Sequence, residues 1–166
     1  MIFATISTPH SAPQPALVSN GRVYPLPFAD MRAVIQTGAD KIQIPETSFA
    51  MDEVKFHAPL RPTTLRDAYA FERHVRTANK NRGRDVPEEW YKFPVFYYTN
   101  PNSIFGPDDE IPYPHYTQAL DFELEIAVII GKGGINIKPE DAPKHIFGYT
   151  IFNDWSARDV QREEMK

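Results

Sequence analysis

The sequence predicts an α+β fold that is mainly β: a small β-rich domain over residues 1–60 and, over residues 61–166, the beginning of a second, mixed domain built largely of strands. Three observations carry this. Short apolar runs separated by turn residues fill the first sixty positions, strict alternation of apolar and acidic residues marks positions 120–128, and only three stretches read as helices.

In the first domain, the apolar runs at 2–6, 16–18 and 23–26 read as strands, and Asn20-Gly21 suits a two-residue hairpin turn. Asp30 can cap a helix over 31–37, which Gly38 can end in the left-handed conformation. Residues 55–60, ahead of Arg61-Pro62, read as a strand leaving this domain and set the boundary near residue 60.

In the second domain, Phe71, His74, Val75 and Ala78 recur at helical spacing and predict a helix over 64–82, with Asp67 on the same face and Gly83 as its stop. Strands follow at 93–99, 120–130 and 145–153. The last runs into Ser156-Ala157-Arg158-Asp159, a capping-box pattern that opens a third helix. Residues 161–166 continue that helix with neither glycine nor proline, so the chain reads as cut, with the C-terminal part of the domain missing.

Composition narrows the function. A net charge of −4 with no run of Lys or Arg argues against nucleic acid and anionic membranes as partners. The longest apolar run, residues 126–130, is far shorter than the ~20 residues of a membrane span, so the expectation is a soluble, cytoplasmic protein. Without cysteine there is neither a disulfide framework nor a thiolate metal site. Many of the sixteen prolines fall in 86–118 among Trp90, Tyr91, Phe93, Tyr97 and other aromatics, which predicts an ordered, loop-rich wall.

The segment Leu120-Asp121-Phe122-Glu123-Leu124-Glu125-Ile126 places three acids on one strand face. Same-face neighbours lie roughly 7 Å apart, so each adjacent pair repels by about 2 kcal/mol when partly buried. Something positive should offset this, yet the segment holds no cation before Lys132. Two readings stand: a solvated face, where screening makes the repulsion trivial, or a ligand face for a hard cation such as Mg²⁺, Mn²⁺ or Ca²⁺. Asn153-Asp154 reads either as a second set of loop ligands or as helix capping, and Asp67 as a ligand or a first-turn acid. His10, His57, His115 and His145 read as structural, and residue type alone does not set His74 apart.

Four separated stretches together resemble the fumarylacetoacetate hydrolase superfamily: Asp67-Ala-Tyr69-Ala-Phe-Glu-Arg-His74, Phe93-Pro-Val-Phe-Tyr97, Asp121-Phe-Glu123-Leu-Glu125, and Asn153-Asp154-Trp-Ser-Ala-Arg-Asp-Val-Gln161. The resemblance implies a rolled β-sandwich catalytic domain, a homodimer, and one Mg²⁺, Ca²⁺ or Mn²⁺ held by Asp67, Glu123, Glu125 and Asp154. It makes His74 the general base that activates water against a ketone carbonyl, with Tyr69, Tyr97 and Gln161 contacting the substrate.

The implied reaction is hydrolysis of a C–C bond in a small 1,3-diketo acid, in the breakdown of aromatic compounds or amino acids. Isomerisation, decarboxylation or hydration of keto-enol diacids is the alternative on the same metal site. A rival of another class is a non-catalytic fragment that binds a metal or keto acid. Met165 and Phe96 stand where fumarylacetoacetate hydrolase itself has tyrosine and glycine, so the pocket is shaped differently here. The family's catalytic lysine and the carboxylate that orients its histidine are expected beyond Lys166.

Overall fold

A computed structural model of the chain describes residues 1–164. The predicted run of the last helix through 166 and the departure at Met165 lie, to that extent, outside the described residues. The contacts divide the chain into two units, Met1–Leu60 with Phe105–Lys166, and Arg61–Ile104.

The first unit opens with a five-stranded antiparallel sheet in the order β4-β3-β2-β1-β5, made of β1 (Ile2–Ser7), β2 (Gln14–Ser19), β3 (Arg22–Pro25), β4 (Phe49–Ala50) and β5 (Lys55–His57). Asn20 and Gly21, with φ of 49° and 71°, form the turn that sets Ser19 opposite Arg22. Helix α1 (Met31–Thr37) starts where the Asp30 side chain accepts from the Ala33 N–H. Gly38 ends it at φ 92° and ψ 137°, a positive φ but an extended ψ, so the stop is not the left-handed helical residue expected. Two buried clusters cover both faces of the sheet: Leu17, Leu26, Met31, Val34 and Ile42, and Ile6, Ala16 and Val23. The strand expected at 55–60 covers only Lys55–His57 and pairs with β1, so it closes the sheet and does not leave it.

The remainder of this unit carries β8 (Leu120–Asp121), β9 (Leu124–Ile130), β10 (Ile146–Asn153), β11 (Ser156–Ala157) and helix α3 (Arg158–Glu164). The single strand expected over 120–130 is broken at Phe122 and Glu123, because β8 pairs with β11 while β9 pairs with β10. Ser156 is therefore a ladder residue and not the cap of α3. The apolar face of the β9–β10 pair, with Leu124 73% and Ile151 77% exposed, is open among the described residues, and Glu125, Ala127 and Ile129 point to the more covered side.

In the second unit, β6 (Leu65–Ala68) pairs with β7 (Phe96–Thr99), and α2 (Glu72–Asn81) buries one side chain, Val75. The helix expected over 64–82 thus begins only at 72. Residues 65–68 find backbone partners in β7, and a ladder satisfies every second N–H and C=O without the costly first turn of a helix. Asp67 consequently sits on a strand and shares no helical face with His74. The predicted strand at 93–99 is likewise shortened to Phe96–Thr99, behind Pro94, which has no N–H to donate.

Candidate active site

The site residues fall into two groups, one in each unit. In the second unit, register places Asp67 opposite Tyr97, and the Tyr97 hydroxyl donates to Asp67 Oδ2 at 3.1 Å. Two positions on, the Tyr69 N–H donates to the Val95 carbonyl at 3.0 Å, and the Tyr69 carbonyl accepts from Trp90 Nε1 at 2.8 Å. The chain between Tyr69 and α2 is thereby fixed on both sides. His74 lies in the first turn of α2, exposed, and the edge-to-face contact of its ring with Tyr69 (centroids 5.3 Å apart, 86° between planes) orients the imidazole.

A hollow of about 370 Å³ opens beside these residues, lined by Tyr69, Trp90, Tyr91, Lys92, Phe93 and Val95 among others. At its edge Glu72 accepts from Arg76 at 2.7 Å and from the Tyr91 hydroxyl at 2.9 Å. Arg76 first and Tyr91 second hold the Glu72 carboxyl below the usual carboxylate range, and Glu72 in turn raises the Tyr91 phenol.

In the first unit, the break after Asp121 is what builds the second group. Glu123 leaves the ladder: its N–H donates to Asn153 Oδ1 at 3.1 Å, and its carbonyl accepts from the Asp154 N–H at 3.0 Å. Asn153 and Asp154 thus clamp the Glu123 backbone and join two segments distant in sequence. Glu125 follows on β9, opposite Phe152.

The positive partner that the acidic segment lacks is Arg158, at the start of α3. Its Nε donates to Asp121 Oδ2 at 2.9 Å, its Nη1 to Glu123 Oε1, and the same Nη1 to Gln161 Oε1 at 3.1 Å. Burial works against the guanidinium charge, but the Glu123 and Asp121 carboxylates outweigh it, and the Arg158 pKa stands above its ordinary value. Next to it, Asp159 accepts from the buried Thr117 hydroxyl and the Gln118 N–H, which hold its carboxyl below the usual range.

Arg158 was legible only as a letter in the last motif, because its partners lie 35 and 37 positions upstream and no local spacing connects them. Asn153 also takes a role that spacing could not show. His57 and His145 make hydrogen bonds to the Ser7 hydroxyl and the Lys132 carbonyl. Within neither unit do three or more His, Asp and Glu side chains, among the described residues, stand close enough to hold one ion. The donor chemistry nonetheless suits a hard cation, since every proposed ligand is a carboxylate and none is sulfur or nitrogen.

Residues 63–166 match the sequence profile of the fumarylacetoacetate (FAA) hydrolase C-terminal domain. The chain belongs to the fumarylacetoacetate hydrolase family. One curated relative, the oxaloacetate tautomerase YisK of Bacillus subtilis, is 37% identical over 117 residues, covering 69% of this chain and 37% of that protein. Among solved structures, a fumarylacetoacetate hydrolase from the psychrophile Exiguobacterium antarcticum superposes with a TM-score of 0.71 at 28% identity, over 99% of this chain and 59% of the other. A probable 2-hydroxyhepta-2,4-diene-1,7-dioate isomerase from Mycobacterium abscessus gives 0.70 at 30% identity, over 96% and 54%. The chain therefore spans between about a third and three fifths of the length of these fumarylacetoacetate hydrolase relatives.

Proposed function

We propose that the chain is the metal-binding and base-bearing part of an enzyme that hydrolyses a C–C bond in a small 1,3-diketo acid. The observation that most favours this is the clamp on Glu123: a strand is interrupted, at the cost of ladder bonds, where Asn153 and Asp154 hold the Glu123 backbone. Breaks of this kind re-aim side chains and recur next to active sites. Asp67, Glu123, Glu125 and Asp154 would hold one Mg²⁺, Ca²⁺ or Mn²⁺. Such an ion, when bound, supplies Lewis-acid polarisation of the substrate's ketone and enolate oxygens.

The remaining steps belong to side chains. His74, turned by Tyr69, takes a proton from water so that hydroxide adds to the ketone carbon; the C–C bond beside it then breaks, its electron pair leaves as an enolate, and the proton returns to the enolate carbon. Tyr97 keeps Asp67 oriented through its hydroxyl while offering its ring edge to the substrate. Gln161 donates its amide protons to the oxygen on which charge develops.

A second reading is favoured by the relatives, one named a tautomerase and one a probable isomerase. In that case His74 moves a proton between carbon and oxygen of a keto-enol acid and no bond to water forms. An assay of acylpyruvates, oxaloacetate and unsaturated keto-enol diacids with Mg²⁺ separates the two. Two carboxylic fragments are the products of hydrolysis, whereas tautomerisation conserves mass, and absence of either in the presence of cation would leave a binding fragment.

A further inference from the structure

We propose that the loop joining β9 to β10 binds a phosphate group, carried by a small phosphate monoester or met as free phosphate. The site uses none of the residues given a role in the reaction above, and it does not depend on that reading.

The sequence has no run of Lys or Arg, yet folding gathers three lysines spaced six positions apart. Lys132, Lys138 and Lys144 line one hollow of about 460 Å³, together with His145, Asp141 and Ile137 among others. That size falls in the range of small-ligand sites and leaves room for an organic part beside the phosphate. Only one of the three charges is answered. Lys144 Nζ donates to Asp141 Oδ1 at 2.6 Å, whereas Lys132 and Lys138 enter no ion pair among the described residues. The lining therefore carries an excess of two positive charges before His145 is counted. In a chain of net charge −4 such an excess is local, which suits a small anion and not a polymer.

These groups hang on a fixed frame. The Gly131 and Lys132 N–H groups both donate to the His145 carbonyl, at 2.8 and 3.2 Å, and His145 Nδ1 stands 2.8 Å from the Lys132 carbonyl. A carbonyl only accepts, so Nδ1 carries the hydrogen and Nε2 is left over, without a hydrogen bond among the described residues. Nε2 can accept the remaining proton of a singly protonated phosphate or, once protonated itself, donate to a phosphate oxygen. On the other side, the Asp141 and Ala142 N–H groups donate to the Lys138 carbonyl at 2.9 and 3.1 Å and fix the turn that carries Lys138.

Gly134 lets the loop close. A Cβ there would lie 2.8 Å from Ile137 Cδ1 and 2.9 Å from His145 Cε1, so only glycine allows the chain to run this near the imidazole. The Gly133 and Gly134 N–H groups donate to no carbonyl among the described residues and add neutral donors for an anion. A planar carboxylate is matched best by the fork of an arginine. Separate ammonium groups, each a point charge, suit a phosphate, whose oxygens point in several directions.

The test is titration of inorganic phosphate, and separately of glycerol phosphate, into the full chain without divalent cation, at constant ionic strength, followed by NMR of assigned backbone amides. Saturable shifts at Lys132, Gly133, Gly134 and His145 are expected, and none with chloride. Lys132→Gln and Lys138→Gln should each weaken binding on the order of 10-fold, and Gly134→Ala should weaken it by displacing Ile137 and His145. Lys41→Gln, an exposed lysine elsewhere in this unit, should leave binding unchanged. Tighter binding of glycerol phosphate assigns the hollow to a monoester, and equal binding assigns it to the phosphate alone.

Shifts that follow ionic strength without saturating, or a loss in Lys41→Gln equal to that in Lys132→Gln, would overturn the site. Both lysines of the pair are exposed, so their variants keep the fold, and the remaining amide signals check this. A chain that turns over no keto acid but still binds phosphate here supports the site and counts only against the reaction proposed above.

Discussion

His74 carries the chemistry only if its ring is free to take a proton. It sits exposed at the start of α2 and is steered by an aromatic edge, with no carboxylate among its contacts in this unit. His74→Ala is expected to lower turnover on the order of 100- to 10,000-fold while leaving cation affinity near the wild-type value, as a base and not a ligand would. Calorimetric titration beside a steady-state assay reads both, and joint loss of binding and turnover would reassign the residue. Glu123→Gln should show the reverse order, with cation affinity falling first.

Acid titration reports on a neighbouring residue. The Asp159 carboxyl is held low by the Thr117 hydroxyl and the Gln118 N–H, so its contribution to stability is fully present above the ordinary aspartate value of about 3.9 and is lost as pH falls through the lowered one. Urea midpoints followed into the acid range should therefore decline less steeply in Asp159→Asn than in the wild type. Parallel curves would mean that Asp159 is held no more tightly folded than unfolded.

At the scale of elements, the first sixty residues were readable because local chemistry decides them. Asn20-Gly21 demands positive φ, Asp30 caps a helix, and alternation buries Leu17 on one face and Ala16 on the other. Leu17→Ala, at the centre of the larger cluster, should cost about 2–5 kcal/mol of unfolding free energy by chemical denaturation.

Two of the errors share one cause, long-range pairing. The helical spacing of Phe71, His74, Val75 and Ala78 was extended back to 64, yet β7 supplies the partners that make 65–68 a strand. Alternation over 120–130 is real, but β11 claims the first two positions and β10 the rest, and the ladder breaks between them. The acids at 121, 123 and 125 were visible as a cluster, whereas the guanidinium that neutralises two of them was not.

For the molecule as a whole, the uncovered side of β9 and β10 separates this chain from a domain whose surfaces are all closed. Leu124, Ile126, Val128, Tyr149 and Ile151 are exposed in a contiguous patch. Ile126→Lys and Ile151→Lys should then change stability by no more than about 0.5 kcal/mol each, the range for surface positions. A loss of several times that size in denaturation experiments would mean that the face is covered in solution. Among the described residues no helix is long and apolar enough to cross a membrane.

The proposed ligand set is common to both reactions proposed above. The most direct measurement is Mn²⁺ titration followed by paramagnetic broadening of assigned backbone amides. The account predicts saturation at one ion per chain, with the amides of Asp67, Glu123, Glu125, Asp154 and His74 broadened together and restored by excess Mg²⁺. Broadening around Glu123 and Glu125 that never reaches Asp67 or Asp154 would contradict it.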